Sequence, residues 1–69
     1  MNDLTQRQKQ ILRYIGRFME KFQRPPSRQE IASAFGFHPN AAQDHLKALE
    51  RKGAIRIAPG IARGIEVKG

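Results

Sequence analysis

The sequence predicts a mainly α-helical fold class with a small β-hairpin, in which three helices are followed by a two-stranded antiparallel sheet. Three observations predict it. Capping-box sequences at Thr5 and Ser27 each precede a segment with helical apolar periodicity. Gly36 then interrupts that periodicity for only a few residues. After Gly53 apolar and polar residues alternate, which is typical of short strands.

The first predicted helix extends from Leu4 to Phe22. Thr5 and Gln8 form its capping box, in which each side chain accepts a hydrogen bond from the backbone N–H of the other residue. A broad apolar stripe, which should supply most of the core, comprises Ile11, Leu12, Tyr14, Ile15, Phe18, Met19 and Phe22. The segment Arg24-Pro25-Pro26 should end this helix, because proline lacks an N–H and disfavours a helical residue before it.

The opposite face of this helix is basic and carries Lys9, Arg13, Arg17 and Arg24 together with Glu20. A basic amphipathic helix bound to a membrane surface is therefore an alternative interpretation. We disfavour it because the apolar stripe is needed to cover the later helices, and without it the domain would have almost no core.

A very short turn separates the second and third predicted helices. Ser27 and Glu30 form the second capping box, so a helix should begin near Arg28. It should stop at Gly36, where a left-handed residue has no steric cost. Helices joined by so few residues cross steeply, which is the geometry of a helix-turn-helix that presents its second helix to a DNA groove.

The third helix should begin at Pro39 or Asn40, since proline suits a first helical turn and asparagine is a good N-cap, and it should end at Gly53. Its predicted inward face comprises Ala42, His45, Leu46 and Leu49. Its outward stripe is polar and comprises Asn40, Gln43, Asp44, Lys47 and Arg51. Such a stripe on an arbitrary amphipathic helix is usually a solvated face. The preceding turn and the basic charge of the chain favour DNA contact instead.

Two short runs after Gly53, Ile55 to Ile57 and Ile65 to Val67, alternate apolar and polar residues on either side of a Pro59-Gly60 turn. They predict a two-stranded hairpin. Since an isolated hairpin is marginal in water, its isoleucine face should pack on the helices. The complete prediction is one winged helix-turn-helix domain over residues 1–69.

Composition limits the function. The 69 residues are enough for one small domain, and the lack of cysteine excludes disulfides and thiolate zinc sites. The sequence lacks an apolar run of about 20 residues and a signal-peptide pattern, so we expect a soluble cytoplasmic protein. Thirteen Lys and Arg against six Asp and Glu give a net charge of +7 and a pI near 10.9, which indicate a polyanionic partner.

The segments LTQRQKQIL, RPPSRQEIA, FGF, NAAQDHLKALERKGAI and RGIEV, in this order from Leu4 to Val67, closely resemble the N-terminal DNA-binding domain of LexA-type SOS repressors. The resemblance implies a transcriptional repressor of DNA-damage (SOS) genes that binds a palindromic double-stranded operator as a homodimer. In the family, a C-terminal domain supplies most dimer contacts and cleaves its own chain with a serine-lysine pair. This sequence holds none of that domain, so we expect no enzyme activity, cofactor or small-molecule ligand. A nucleoid-associated bacterial protein is implied.

The predicted base-reading set is Asn40, Ala41, Gln43, Asp44 and Lys47. The two amides can each pair with adenine, the aspartate can accept from the cytosine amino group, and the alanine can meet a thymine methyl. For Asp44, a solvated carboxylate or an ion pair with Lys47 or Arg51 is an equal alternative.

The predicted DNA-backbone set is Arg7, Ser27, Arg28, His38, Arg51 and Lys52. Four of these, Arg7, Ser27, Arg28 and Lys52, are assigned by resemblance, although Ser27 should act mainly as a cap. The predicted wing contacts, also assigned by resemblance, are Arg56, Gly60 and Arg63. For each arginine a solubility role is the alternative.

The sequence departs from the family pattern in two ways. It has one residue fewer than is common between the glycine turn and Asn40, and it has Gln43 and Asp44 where two glutamates are common. We therefore expect a divergent operator preference and an altered angle of the recognition helix.

Three other functions are weighed against the repressor. A winged helix can serve as a protein-interaction module, and a basic domain can bind nucleic acid without sequence preference. RNA binding is disfavoured because Tyr14, Phe18 and Phe22 are predicted to lie in the core and not on a stacking platform. His45 is expected to be a half-buried packing residue and not a metal ligand, and with Asp44 pointing away from it there is no catalytic pair.

Overall fold

The computed structural model describes residues 4–58 and 64–67. Within them the chain forms helices α1 (Gln6–Phe22), α2 (Arg28–Phe35) and α3 (Pro39–Arg51), followed by strands β1 (Ile55–Ile57) and β2 (Ile65–Val67). The two strands form an antiparallel sheet. This mostly helical architecture confirms the predicted winged helix-turn-helix.

Both predicted capping boxes are confirmed. Thr5 Oγ1 accepts from Gln8 N at 3.1 Å, and Gln8 Oε1 accepts from Thr5 N at 3.0 Å. Ser27 Oγ accepts from Glu30 N at 3.1 Å, and Glu30 Oε1 accepts from Ser27 N at 2.8 Å. α1 begins at Gln6, two residues later than predicted, because Thr5 is its extended N-cap.

The predicted end of α1 at Phe22 is confirmed, and the structure adds a cap that the sequence did not indicate. Gln23, which precedes the prolines, adopts a left-handed conformation with φ 60° and is the C-cap of the helix. Its backbone N–H bonds to Met19 O, and its Nε2 donates to Glu20 O at 3.0 Å. Two helix-terminal carbonyls are thereby satisfied without glycine.

Gly36 ends α2 as predicted, with φ 73°. The following N–H of Phe37 bonds to Ala32 O at 2.8 Å, which closes the last turn of the helix. α3 begins at Pro39, one of the two predicted starts. Its N-cap is His38 and not Asn40, because the imidazole Nδ1 accepts from Asn40 N at 3.2 Å.

A single cluster of buried residues joins all the elements. Its fully buried large side chains are Ile11, Ile15, Ile31, Leu49 and Ile55. Burying each such side chain contributes about 1.5 to 3 kcal/mol. The polar part of the described core is also satisfied, since every buried side-chain nitrogen and oxygen there has a hydrogen-bond partner.

Phe22 was predicted to belong to the apolar core stripe of α1, but 42% of its surface is exposed. α2 has 8 residues and α1 has 17, so α2 is too short to cover the whole apolar stripe of α1. The prediction that Tyr14, Phe18 and Phe22 all lie in the core, which disfavoured RNA binding, is therefore wrong for Phe22. No helix in the described part of the chain is long and apolar enough to cross a membrane.

The hairpin packs its isoleucines on the helices, as predicted. Ile55 and Ile65 are 1% and 5% exposed, whereas Val67 at the end of β2 is 41% exposed. Beyond the strands, Ala58 N bonds to Gly64 O at 2.7 Å. The predicted Pro59-Gly60 turn lies outside the described residues.

Gly16 and Gly36 show how backbone conformation alone affects the cost of replacing a glycine with alanine. A Cβ added at Gly16 or Gly36 meets no atom within 4 Å, so neither substitution would clash with a neighbouring residue. Gly16→Ala, in the interior of α1, should raise the free energy of unfolding by about 0.5 to 1 kcal/mol. Gly36→Ala should lower it by about 1 to 2 kcal/mol, because only its positive φ opposes a side chain. Equilibrium urea unfolding measures both, and a neutral Gly36→Ala variant would contradict the proposed role of the turn.

Candidate nucleic-acid interface

α3 separates an apolar face from a polar one. Ala42, Leu46 and Leu49 are buried, with exposures of 0%, 3% and 0%. Four of the predicted stripe residues are exposed on the opposite side: Asn40, Asp44, Lys47 and Arg51. Gln43 and Ala41 are half-buried at the margins of the stripe. The predicted base-reading residues therefore share one accessible helix face.

The cap at the start of α3 also fixes the chemistry of His38. Because Nδ1 accepts a hydrogen bond from Asn40 N, the neutral imidazole carries its proton on Nε2. The side chain is exposed, so this Nε2–H is a donor at the N-terminal end of the helix, where an anion is also favoured by the free amides. His38 thus combines a structural role with the chemistry of a phosphate contact.

A side-chain bond joins two predicted site residues on different helices. Arg28 Nη1 donates to Gln43 Oε1 at 3.3 Å, which links the start of α2 to the first turns of α3. Both residues line a recess of about 260 Å³ that continues to Ile57 and Ile65 of the hairpin. The bond orients the Gln43 amide with its oxygen towards Arg28.

The helix-turn-helix turn is held by stacked aromatic rings. Phe35 and Phe37 stack with centroids 5.5 Å apart, and Phe37 stacks on the His45 ring at 5.0 Å. The predicted packing role of His45 is confirmed by this contact. Arg7 places its guanidinium carbon 5.3 Å from the Phe37 centroid, so this predicted backbone residue lies beside the turn.

Lys52 has an intramolecular partner that the sequence did not indicate. Its Nζ donates to Gln8 Oε1 at 2.9 Å, and the same oxygen caps the Thr5 N–H of α1. Gln8 is only 7% exposed, so this contact joins the end of α3 to the start of α1. Lys52 is thus tied to the start of α1, and its phosphate contact stays a prediction.

The wing is attached to α3 by Glu50, which the sequence reasoning missed. Ala58 N donates to Gly64 O across the hairpin. Successive N–H groups of an antiparallel strand point to opposite sides, so the N–H of Ile57 points away from the partner strand. This outward N–H donates to Glu50 Oε2 at 3.0 Å. No helical or strand pattern marks such a contact, because it joins different elements.

The predicted wing residues are only partly described. Arg56 is exposed on β1, and its partner across the sheet is Glu66. Gly60 and Arg63 lie outside the described residues. Over residues 4–58 and 64–67, no group of three or more His, Cys, Asp or Glu side chains is arranged to hold a metal ion.

A protein-family model and two curated relatives match this chain. The family model described as LexA DNA binding domain matches residues 1–64. The chain is 54% identical to the LexA repressor of Pseudomonas aeruginosa over an alignment of 70 positions, which covers 100% of this chain and 34% of that repressor. It is 58% identical to the LexA repressor of Dechloromonas aromatica over 65 residues, or 93% of this chain and 32% of that repressor. The chain thus spans about a third of the length of these curated relatives.

The bond between Glu50 and Ile57 generates a test of how the wing is held. Glu50→Ala should speed hydrogen exchange of the Ile57 amide by about fivefold to tenfold, because a net hydrogen bond contributes about 1 kcal/mol. Glu50→Gln keeps an acceptor oxygen and should preserve the protection. Exchange measured by NMR on the free domain decides this. Equal exchange in all three proteins would show that Glu50 does not hold β1.

Proposed function

Because the chain belongs to the LexA DNA-binding domain family, we propose that it places α3 in the major groove of a double-stranded operator and acts in transcriptional repression of DNA-damage (SOS) genes. The relatives it matches are named LexA repressors, and the SOS role follows from that name. The observation that carries the proposal is the exposed polar stripe of α3, opposite its buried apolar face.

Base reading is assigned to Asn40, Ala41, Gln43, Asp44 and Lys47. The bond from Arg28 to Gln43 Oε1 turns the Nε2 donors of that amide away from Arg28 and leaves one oxygen lone pair available. Gln43 therefore retains both groups needed to pair with adenine. Since Arg28 holds this side chain before binding, less rotamer entropy is lost when it meets a base.

The DNA backbone is assigned to Arg7, Ser27, Arg28, His38, Arg51 and Lys52, and the wing contacts to Arg56, Gly60 and Arg63. Phosphate contacts of this kind fix register and carry no sequence information. Ser27 contributes mainly through its cap, which keeps the amides of α2 oriented. Arg28 is the first residue of α2, where the helix dipole favours an anion.

Dimerisation on a palindromic operator is the second part of the proposal. Two-fold repressors with this motif contact half-sites about one helical turn, or roughly 34 Å, apart. The described domain measures 29 × 24 × 23 Å between Cα atoms, so two copies fit side by side at that spacing. The remaining two thirds of the relatives' length is where we place further dimer contacts. This function also places the protein in the bacterial cytoplasm, on the nucleoid.

Selection of bound sites from random duplexes tests the proposed function. We expect a two-fold symmetric motif with half-sites about one helical turn apart. The motif should differ from that of relatives with the common turn length, since the Gly36-to-Asn40 segment is shorter here. Binding without enrichment would indicate nonspecific association, and no binding would favour a protein-interaction module.

Asp44→Ala separates base reading from a solvated carboxylate. Loss of a negative charge should strengthen binding to all DNA, and loss of a base contact should relax the preference at one base pair by about tenfold, or roughly 1.4 kcal/mol. Glu20→Ala, which removes an exposed carboxylate from α1, is the matched control. Affinities for single-base variants of the selected site provide the measurement. An equal gain on every sequence would remove Asp44 from the base-reading set.

A further inference from the structure

A row of aromatic rings along α1 is left partly uncovered. The centroids of Tyr14 and Phe18 are 5.9 Å apart, and those of Phe18 and Phe22 are 4.5 Å apart. Phe22, at the end of the row, is 42% exposed. These rings line one wall of an open groove of about 610 Å³, whose other wall is formed by α2 with Ser33 and Ala34.

The rim of this groove is cationic. Lys21 Nζ lies 5.3 Å from the Phe22 centroid, and the guanidinium carbon of Arg24 lies 5.7 Å from it. Lys21 and Arg17 are the two cations of the groove lining. The acidic residue of the lining, Glu30, uses one carboxylate oxygen to cap Ser27 N. Aromatic surface bordered by these cations complements an apolar surface bordered by carboxylates.

Tyr14 contributes an uncharged donor to the same groove. Burial raises the pKa of its phenol above the ordinary value of 10.0, and the negative charge of Glu30 raises it further. The phenol is therefore protonated at neutral pH and is compatible with a neighbouring carboxylate.

The groove lies on a different side of the domain from the candidate DNA face. Successive residues of α2 are about 100° apart around the helix axis. The lining residues Glu30, Ser33 and Ala34 therefore lie on the side of α2 opposite to Arg28. Arg28 in turn contacts Gln43 on α3. An occupant of the groove would thus leave the polar stripe of α3 accessible.

We propose that this groove, defined by Tyr14, Phe18, Phe22 and Ala34 with the rim cations Arg17 and Lys21, docks an acidic amphipathic helix of a partner protein while α3 is on DNA. Phe22 lies eight positions after Tyr14, a rise of about 12 Å along α1, and this length matches about two turns of such a helix. Apolar anchors at helical spacing meet the rings, and flanking Glu or Asp side chains meet the cations.

Two other occupants fit the groove less well. A membrane surface requires a continuous apolar helix face, but Ile11 and Ile15 of α1 are fully buried in the core. Single-stranded nucleic acid requires open ring faces for stacking, whereas two cations already lie over the Phe22 ring. The acidic helix uses both the rings and the cations as they stand.

The test uses a synthetic peptide of about 16 residues with Leu at helical i, i+3, i+4 and i+7 spacing and Glu elsewhere. Added to the ¹⁵N-labelled protein, it should shift the amide resonances that surround the groove and leave those of α3 unchanged. The same peptide with Lys in place of Glu is the charge control and should bind at least about tenfold more weakly. Binding of the acidic peptide should persist when the protein is bound to duplex DNA.

Two variants locate the site. Phe22→Ala should weaken peptide binding at least about fivefold, and Ala34→Glu, which adds a negative charge on an exposed wall position, should abolish it. Val67→Ala, which alters the other exposed large hydrophobic residue of the described chain, should change nothing. Thermal unfolding and duplex binding of each variant confirm that the fold and the DNA face are intact.

Several results would overturn the proposal. These are no shift with the acidic peptide, equal binding of the Lys-substituted peptide, and shifts that Phe22→Ala does not weaken. Preferential binding of a single-stranded oligonucleotide or of anionic phospholipid vesicles through Phe22 would assign the groove to that occupant instead. Since the readout is peptide binding, its failure is distinguishable from a failure to bind duplex DNA.

Discussion

The positive φ of Gly36 is the constraint on which the other features depend. A left-handed residue at this point reverses the chain within one turn, so α2 and α3 meet at once and Ile31 and Leu46 enter the same core. This packing buries the apolar face of α3, so its polar stripe lies on the surface. The turn at Gly36 thus brings the two helices together, and the packing of the apolar face determines which side of α3 faces outward.

Local signals made most of the fold predictable. A capping box requires only residues three positions apart, and the two predicted from Thr5 and Ser27 are both present. Alternation over three residues likewise sufficed for each strand. The ends were less predictable, because a helix can stop at any residue that tolerates a left-handed conformation. Gln23 does so here, although the prolines that follow gave a stronger signal.

The site was predictable as a face but not as a set of contacts. Helical periodicity placed Asn40, Asp44 and Lys47 together because it depends only on spacing. The bonds that attach this face to its neighbours join residues 7 to 44 positions apart, and no periodicity records them. The exposure of Phe22 was missed for a related reason, since a stripe on α1 gives no information about the length of the helix that covers it.

The three long-range polar bonds have a common consequence for recognition. Gln43 is bonded to α2, Glu50 to β1 and Lys52 to α1, so α3 and its C-cap have polar contacts to both other helices and to one strand of the wing. Each exposed carboxylate near a duplex opposes binding electrostatically, so in the proposed complex Glu50 would lower the affinity for DNA while it holds β1. The three bonds compensate for this loss of affinity because they hold α3 in place before binding, so less conformational entropy is lost when it binds. In the proposed complex, α3 and the wing would meet the duplex as one rigid unit. A wrong base could then not be accommodated by a small shift of α3.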